Sequence, residues 1–327
     1  MKKKIFIVGT VLLAMALLLG ACSSVKEIKS TEEEARVVGT CGEYEIRYEE
    51  LRYLTMNYKL ELESKYGEGI FDSAATGEQY EDELLALVSE ALVENYALVA
   101  LCATREIGLS DKTTKELVQE YVEESVEQCG DMEAYKAYLA DNYMTDWVFR
   151  LNTAILGCQQ RYYEVLAEEQ DKAAYDAVMA GDGFIRCMSI FVKNDAGEKV
   201  EDNRKAAQAV RDAVAAGAAL EDYIGTRYNQ DTSTCDYYFM RGYFIEEYED
   251  AAFALAVGEV SEVVEVDNGF YVIQRMEPED AYFEANLDSL KTMYHVCTME
   301  NEKERLAETI SFERNELGEQ IALWSMQ

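Results

Sequence analysis

The stretch Arg241–Val264 reads RGYFIEEYEDAAFALAVGEVSEVV, and it decides the fold expected for the second half of the chain. Its central part predicts a helix over Glu247–Ala256. A glycine turn at Val257–Glu259 follows and leads into two strands, Val263–Val266 and Phe270–Met276. The Asn-Gly pair between those strands is typical of a tight β-hairpin.

The residues before this stretch extend the same small domain. We predict a strand at Phe184–Val192, helices at Asn203–Ala216 and Leu220–Tyr228, and a strand at Tyr237–Met240. The order is therefore β-α-α-β-α-β-β, which indicates an α+β domain with a four-stranded sheet over residues 181–279.

The regions on either side of this domain are predicted to be helical. Short apolar runs on both sides of Cys41-Gly42-Glu43 predict one β-hairpin, and amphipathic helices follow it up to residue 180. A last helix is predicted from about Tyr282 to the end of the chain. Its apolar stripe requires a partner, so we expect residues 280–327 to pack back on residues 35–180. The expected fold class is α+β, with a sheet domain inserted into a helical one.

Several motifs of the central domain resemble the parvulin (PpiC-type) family of peptidyl-prolyl isomerases. Within Arg241–Val264 these are the Arg-Gly pair, the Tyr-Glu-Asp-Ala-Ala-Phe segment and the Gly-Glu-Val-Ser segment. The strand Arg186–Lys193 resembles the family's opening strand, and Asn268–Ile273 resembles its closing strand. Tyr228–Asp231 resembles a Tyr-Ser-x-Asp segment. The resemblance covers just under a third of the chain.

The rest of the chain resembles the SurA-like and PrsA-like foldases. In those proteins a hairpin such as Val37–Ile46 is followed by a helix that begins as Glu49–Leu51 does here. A helical domain with an inserted parvulin domain and a returning helix is also typical of them. The resemblance implies a folding factor whose partners are unfolded or nascent secreted polypeptides.

The parvulin resemblance also implies which residues form a binding site. Phe244 and Tyr248 stand at the family's proline-pocket positions, and Phe239 is expected to add a wall. Asp231 stands where the family has Asp or Cys beside the reacting amide. The alternative for the aromatic residues is ordinary packing of the sheet and helix.

Two catalytic positions depart from the family's pattern. Ser189 and Tyr271 stand where parvulins have histidines, and the chain's single histidine, His295, lies outside the domain and is expected on a helix surface. The loop between Asp231 and Arg241 lacks the family's glycines. We therefore expect weak or absent isomerase activity, with Asp231, Ser189 and Tyr271 as candidate catalytic residues. A binding-only chaperone with an inactive parvulin domain is the alternative, and a solute-binding lipoprotein is a third hypothesis that the helical regions disfavour.

The N-terminus has the composition of an export signal. Three lysines precede the apolar run Ile5–Leu19, which ends in Leu-Gly-Ala before Cys22. That arrangement resembles the lipobox of bacterial lipoproteins, and the resemblance implies cleavage after residue 21 and lipidation of Cys22. Residues 22–34 would then be a polar tether on the outer face of the cell membrane. The alternative, an uncleaved membrane span, needs about 20 apolar residues, and the run is shorter.

The overall composition excludes other classes of function. A net charge of −34 excludes nucleic acid as a partner, because nucleic-acid binding requires a basic surface. No Cys-x-x-Cys pair occurs among the eight cysteines, so zinc sites and thioredoxin-type redox pairs are not expected. We also find no P-loop, no Gly-x-Gly-x-x-Gly and no Gly-x-Ser-x-Gly motif. We expect neither a cofactor nor a metal.

Overall fold

The chain folds into two compact units. A computed structural model describes residues 25–181, 183–194, 199–226 and 236–327. Among the described residues, the helical unit contains 25–165 together with 301–327, and the sheet unit contains 166–300. The chain therefore leaves the helical unit once and returns to it.

The helical unit begins with a β-hairpin whose strands β1 (Val37–Cys41) and β2 (Tyr44–Arg47) pair antiparallel. Gly42 in the two-residue turn has a φ of +57°, a left-handed conformation that glycine adopts without steric cost. The hairpin predicted around this glycine is confirmed. The helices that follow are α1 (Tyr48–Tyr66), α2 (Ala74–Gly77), α3 (Glu81–Ala103), α4 (Lys112–Cys129), α5 (Met132–Asp141) and α6 (Asp146–Ala180).

Helix α3 forms the core of the helical unit. The run Ala74–Ala103 is long and apolar enough to cross a membrane by length and composition alone. Leu84, Val88 and Leu92 are fully buried at four-residue spacing, however, so one face of α3 packs against protein. We interpret α3 as the central helix of the unit.

The sheet unit contains the four-stranded antiparallel sheet predicted for the parvulin-like domain, in the order β4-β3-β6-β5. Strand β3 pairs with β6 over eight residues, from Arg186–Met276 to Lys193–Gly269. The predicted α+β fold class is confirmed. The elements in chain order are β3 (Ile185–Lys193), α7 (Val200–Ala215), β4 (Asp236–Phe239), α8 (Glu246–Ala254), β5 (Val264–Val266), β6 (Gly269–Met276), α9 (Asp280–Ala285) and α10 (Leu287–Ala307).

The chain returns to the helical unit as a strand, and the prediction of helix to the end of the chain is wrong. After α10 ends, β7 (Phe312–Arg314) pairs with the free edge of β1 and gives the sheet order β2-β1-β7. The strands approach closely at Gly39, where a Cβ would lie 2.4 Å from the Glu313 carbonyl oxygen. A three-residue strand is too short to show period-two alternation, which is why the sequence did not reveal it.

The last residues are held by side chains of the helical unit. Glu81 accepts hydrogen bonds from the backbone N–H groups of Leu323 and Trp324, at 2.9 and 2.8 Å. Lys59 donates to the carbonyls of Trp324 and Met326. Residues 301–327 therefore return to the helical unit, whereas residues 280–300, which were expected to return with them, belong to the sheet unit.

His295 is buried, at 3% exposure, so the expectation that it lies on a helix surface is wrong. Burial lowers the pKa of its imidazole, and a backbone hydrogen bond involving Gln170 opposes that shift. Gln170 belongs to α6, so His295 lies where α10 packs against α6. The apolar stripe of α10 was identified correctly, but its width was underestimated.

A buried carboxylate lies where β2, α1 and α3 meet. Glu50 is 3% exposed, and the Tyr96 hydroxyl donates to both of its oxygens at 3.0 Å. The ring of Tyr96 stacks on Tyr44 of the hairpin, with 5.0 Å between centroids. Burial raises the pKa of Glu50 to about 8, and the Tyr96 hydrogen bond only partly offsets it.

The Glu50→Gln variant should become more stable relative to the wild type as pH rises. The raised pKa means that the folded state favours protonated Glu50. The stabilisation that comes with this protonation is complete below pH 4.5 and is lost as pH rises to about 8. Glutamine does not titrate, so the difference in unfolding free energy should grow by at most about 1.4 kcal/mol per pH unit across that window.

Denaturant titrations followed by tryptophan fluorescence measure this difference in unfolding free energy. Both tryptophans of the chain, Trp147 and Trp324, lie in the helical unit that contains Glu50. The exposed Glu45→Gln change in β2 is the control and should show no such trend. A pH-independent difference for Glu50→Gln would contradict the assignment.

Candidate functional site

The two faces of the four-stranded sheet pack against different helices. Side chains alternate along each strand, so neighbouring residues of β3 point to opposite sides. Met188, Ile190 and Val192 pack with α7, while Ile185 and Cys187 pack with α8. The candidate site lies on the α8 face.

Three aromatic side chains meet on that face and form what we call the aromatic slot: Phe239, Phe244 and Tyr248. The Phe244 ring lies 4.8 Å from the ring of Phe239 and 4.8 Å from that of Tyr248, between centroids. Phe239 and Tyr248 are buried, whereas Phe244 is half-buried. The three residues predicted for the proline pocket are therefore in mutual contact, and Phe244 is the one that a ligand can reach.

Further aromatic rings extend the slot on two sides. Tyr237 of β4 packs edge-on against Phe244 at 5.6 Å, and Tyr271 of β6 packs edge-on against Tyr248 at 5.0 Å. Tyr271 also contacts Phe191 at 4.5 Å. Tyr237, Tyr271 and Phe191 are half-buried, so the apolar surface continues beyond the slot itself.

Two of the three positions expected to hold catalytic side chains, Ser189 and Tyr271, contact Tyr248. The Tyr248 hydroxyl donates to Ser189 Oγ at 3.1 Å, and Ser189 is itself buried. Burial raises the pKa of Tyr248 far above its ordinary value, so this phenol stays neutral. Burial likewise raises the pKa of Tyr271. Ser189 and Tyr271 therefore support the buried Tyr248, and neither supplies a group that titrates near neutral pH.

A buried carboxylate that the sequence reasoning missed fixes the loop before α8. Glu249 is 5% exposed and accepts hydrogen bonds from the backbone N–H groups of Gly242, Tyr243 and Phe244, at 3.0, 2.8 and 2.9 Å. Gly242 has a φ of +92°, which favours glycine. We call residues 242–244 with Glu249 the loop clamp. It resembles a capping box, in which a Glu of the first helical turn reaches back to backbone N–H groups. The N-cap is Ile245 and not Ser or Thr, so the sequence carries no signal for it.

The Gly-Glu-Val-Ser motif fixes the edge of the sheet beside the slot. Ser261 Oγ accepts a hydrogen bond from the Ile273 N–H at 3.0 Å, and the Ser261 N–H donates to the Ile273 carbonyl at 2.8 Å. Glu259 accepts from the Ala256 N–H at 2.8 Å. These motif residues therefore shape the backbone and do not face a ligand.

Two candidate residues, Asp231 and Cys22, lie outside the residues that the structure describes. Within the described ranges, no three or more His, Cys, Asp or Glu side chains are grouped so that they could hold a metal ion.

Comparison with known proteins agrees with the motifs of the sheet unit. Residues 192–292 match the family model of the PPIC-type PPIase domain. The foldase protein PrsA of Caldanaerobacter subterraneus subsp. tengcongensis is 24% identical over 266 residues, which cover 78% of this chain and 77% of that protein.

Solved structures of PrsA proteins are also similar to this chain, but they superpose on it weakly. The peptidylprolyl isomerase PrsA of Bacillus anthracis is 18% identical, with a TM-score of 0.34 over 67% of this chain and 94% of that one. The foldase protein PrsA of Streptococcus pneumoniae is 17% identical, with a TM-score of 0.32 over 71% and 86%. On the family match and the curated relative, the chain is PrsA-like and contains a parvulin domain of the PPIC type.

Proposed function

We propose that this chain is an extracytoplasmic, membrane-anchored folding factor that binds proline-containing segments of secreted polypeptides and isomerises them weakly. The observation that carries the proposal is the aromatic slot with its loop clamp on the α8 face of the sheet. Phe244 is half-exposed above the buried rings of Phe239 and Tyr248, which suits a proline ring.

Such a slot can lower the barrier to prolyl isomerisation without covalent chemistry. Rotation about a peptide bond faces about 18–20 kcal/mol, because amide resonance is lost in the twisted state. The twisted amide is less polar than the planar one, so an apolar site that excludes water favours it. A lost preorganised polar group can cost about a hundredfold in rate. Because Ser189 and Tyr271 replace the histidines expected from the parvulin resemblance, we expect activity well below that of a parvulin that has them.

The N-terminal sequence supports the proposed location. Lys2–Lys4, the apolar run Ile5–Leu19 and Cys22 fit a lipoprotein signal, so the mature protein would begin at a lipidated Cys22. Within this proposal, the helical unit of residues 25–165 and 301–327 acts as a chaperone domain, and the parvulin-like domain predicted at 181–279 lies within the sheet unit.

A binding-only chaperone is the second candidate function, and the Ser189–Tyr248 hydrogen bond favours it. Ser189 is buried and its oxygen already accepts from Tyr248, so the proton of that phenol is not available to a substrate amide. The slot would then bind apolar and proline-containing segments with no change in their isomerisation rate.

Exchange NMR on a proline-containing tetrapeptide separates these functions. We expect peptide binding together with a cis–trans exchange rate that is measurably above the uncatalysed rate. Binding without acceleration would select the chaperone, and the absence of both would overturn the proposed function.

The Phe244→Ala variant should weaken peptide binding by roughly three- to tenfold, because full burial of a phenylalanine contributes roughly 1.5–3 kcal/mol and Phe244 is already half-buried without a ligand. Tyr175→Ala removes a ring that is 46% exposed on α6, and it is the control. Equal affinities for the two variants would place the binding site elsewhere.

The Glu249→Gln variant should also bind the peptide about tenfold more weakly, because hydrogen bonds to a charged acceptor contribute roughly 1.5–3 kcal/mol each and glutamine replaces one acceptor oxygen by a donor. Glu247→Gln, two residues earlier and exposed, makes the same change in charge and should bind normally. Titration calorimetry measures both. Identical affinities would show that the loop clamp does not position Phe244.

A further inference from the structure

The segment directly after the proposed lipidation site is fixed to the helical unit. Val25, Ile28 and Ser30 are half-buried, whereas Lys26, Glu27 and Lys29 are exposed. We call Val25–Ser30 the N-terminal strap.

The first contact of the strap is with α4, through both backbone polar groups of Val25. Its N–H donates to Glu123 Oε1 at 3.3 Å, and its carbonyl accepts from Gln119 Nε2 at 3.0 Å. Gln119 Nε2 also donates to Glu123 Oε1 at 2.7 Å, so the two side chains orient each other. One turn of α4 therefore satisfies the backbone of Val25 as a neighbouring strand would.

The second and third contacts are with buried carboxylates. The Ile28 N–H donates to Asp146 Oδ2 at 3.0 Å, and the Ser30 hydroxyl donates to Glu49 Oε2 at 2.7 Å. Asp146 and Glu49 are each 2% exposed. Asp146 is oriented by Tyr135 at 2.9 Å, so it is a preformed acceptor for the strap.

The side chains of Val25 and Ile28 add apolar contacts to these hydrogen bonds. They pack against a buried cluster in α4, α5 and α6 that includes Val122, Tyr135 and Ala154. Hydrogen bonds of Val25, Ile28 and Ser30 and the apolar packing of Val25 and Ile28 therefore hold the strap in place. A freely moving tether would make no such contacts.

We propose that the strap holds the α4 side of the helical unit at the membrane surface. The proposal rests on the lipidation of Cys22 stated above. Three residue steps separate Cys22 from Val25 and can span at most about 11 Å, whereas a free tether from Cys22 to Glu34 could span about 43 Å. The partner surface is the lipid bilayer itself, and the helix that faces it is α4 near Gln119 and Glu123.

The experiment uses the full-length lipidated protein in phosphatidylcholine–phosphatidylglycerol vesicles. A fluorophore is attached to an introduced Glu120→Cys, an exposed site on α4 between Gln119 and Glu123. Quenching by lipids with spin-labelled headgroups then reports proximity to the bilayer. The chain without the added cysteine corrects for labelling at native cysteines, and vesicle flotation reports anchoring separately.

We expect strong quenching of the label in the strap-intact protein. The Val25→Ser, Ile28→Ser double variant removes the apolar contacts of the strap without changing the net charge, and quenching should fall toward that of the unlipidated chain. The matched control, Glu27→Ser with Lys29→Ser, changes only exposed strap residues, also leaves the net charge unchanged and should quench like the strap-intact protein.

The outcomes separate the strap from the anchor. Flotation with weak quenching, or with quenching that the double variant does not change, would overturn the strap proposal and leave membrane anchoring in place. If the protein carried no lipid on Cys22 and did not float with the vesicles, membrane anchoring would be overturned, and the strap proposal with it. Flotation together with the expected quenching pattern would support both.

Discussion

Three hydrogen bonds from one short loop to one buried carboxylate hold the ring on which the proposed binding site depends. The loop before α8 carries Phe244, the accessible ring of the aromatic slot, and Glu249 holds the backbone of that loop. Loops otherwise tend to be mobile, and ordering a mobile ring on binding costs free energy. Because Glu249 is charged and buried, its three N–H partners are worth more than neutral hydrogen bonds at the surface would be. The slot is therefore largely preformed.

The chemistry proposed for the slot fits the side chains that surround it. Isomerisation forms no covalent bond and moves no proton, so the reaction does not require a histidine. The buried Tyr248 hydroxyl donates to Ser189 Oγ, so this phenol avoids the cost of an unpaired buried donor. Because the phenol is already paired, the slot is a better receptor for an apolar ring than a source of polar catalysis. The slot therefore favours binding over rate enhancement.

The sequence predicted the elements with strong periodicity and the residues inside a specific motif. The hairpin around Gly42, the four-stranded sheet and the contacts among Phe239, Phe244 and Tyr248 all followed from it. The strand β7 was missed because three residues carry no pattern. Glu49, Asp146 and Glu249 were missed for another reason. The chain has 64 acidic residues, and a carboxylate that accepts backbone hydrogen bonds has the same sequence signature as one in solvent. Only the folded backbone distinguishes them.

The most direct test of the central claim is where a bound proline ring lies. Intermolecular nuclear Overhauser effects between a proline-containing peptide and protein labelled at its phenylalanine and tyrosine rings can locate it. We predict cross-peaks from the proline ring protons to the rings of Phe244 and Tyr248. Cross-peaks that connect the proline only to aromatic rings of the helical unit, such as Tyr66 or Tyr138, would contradict the account.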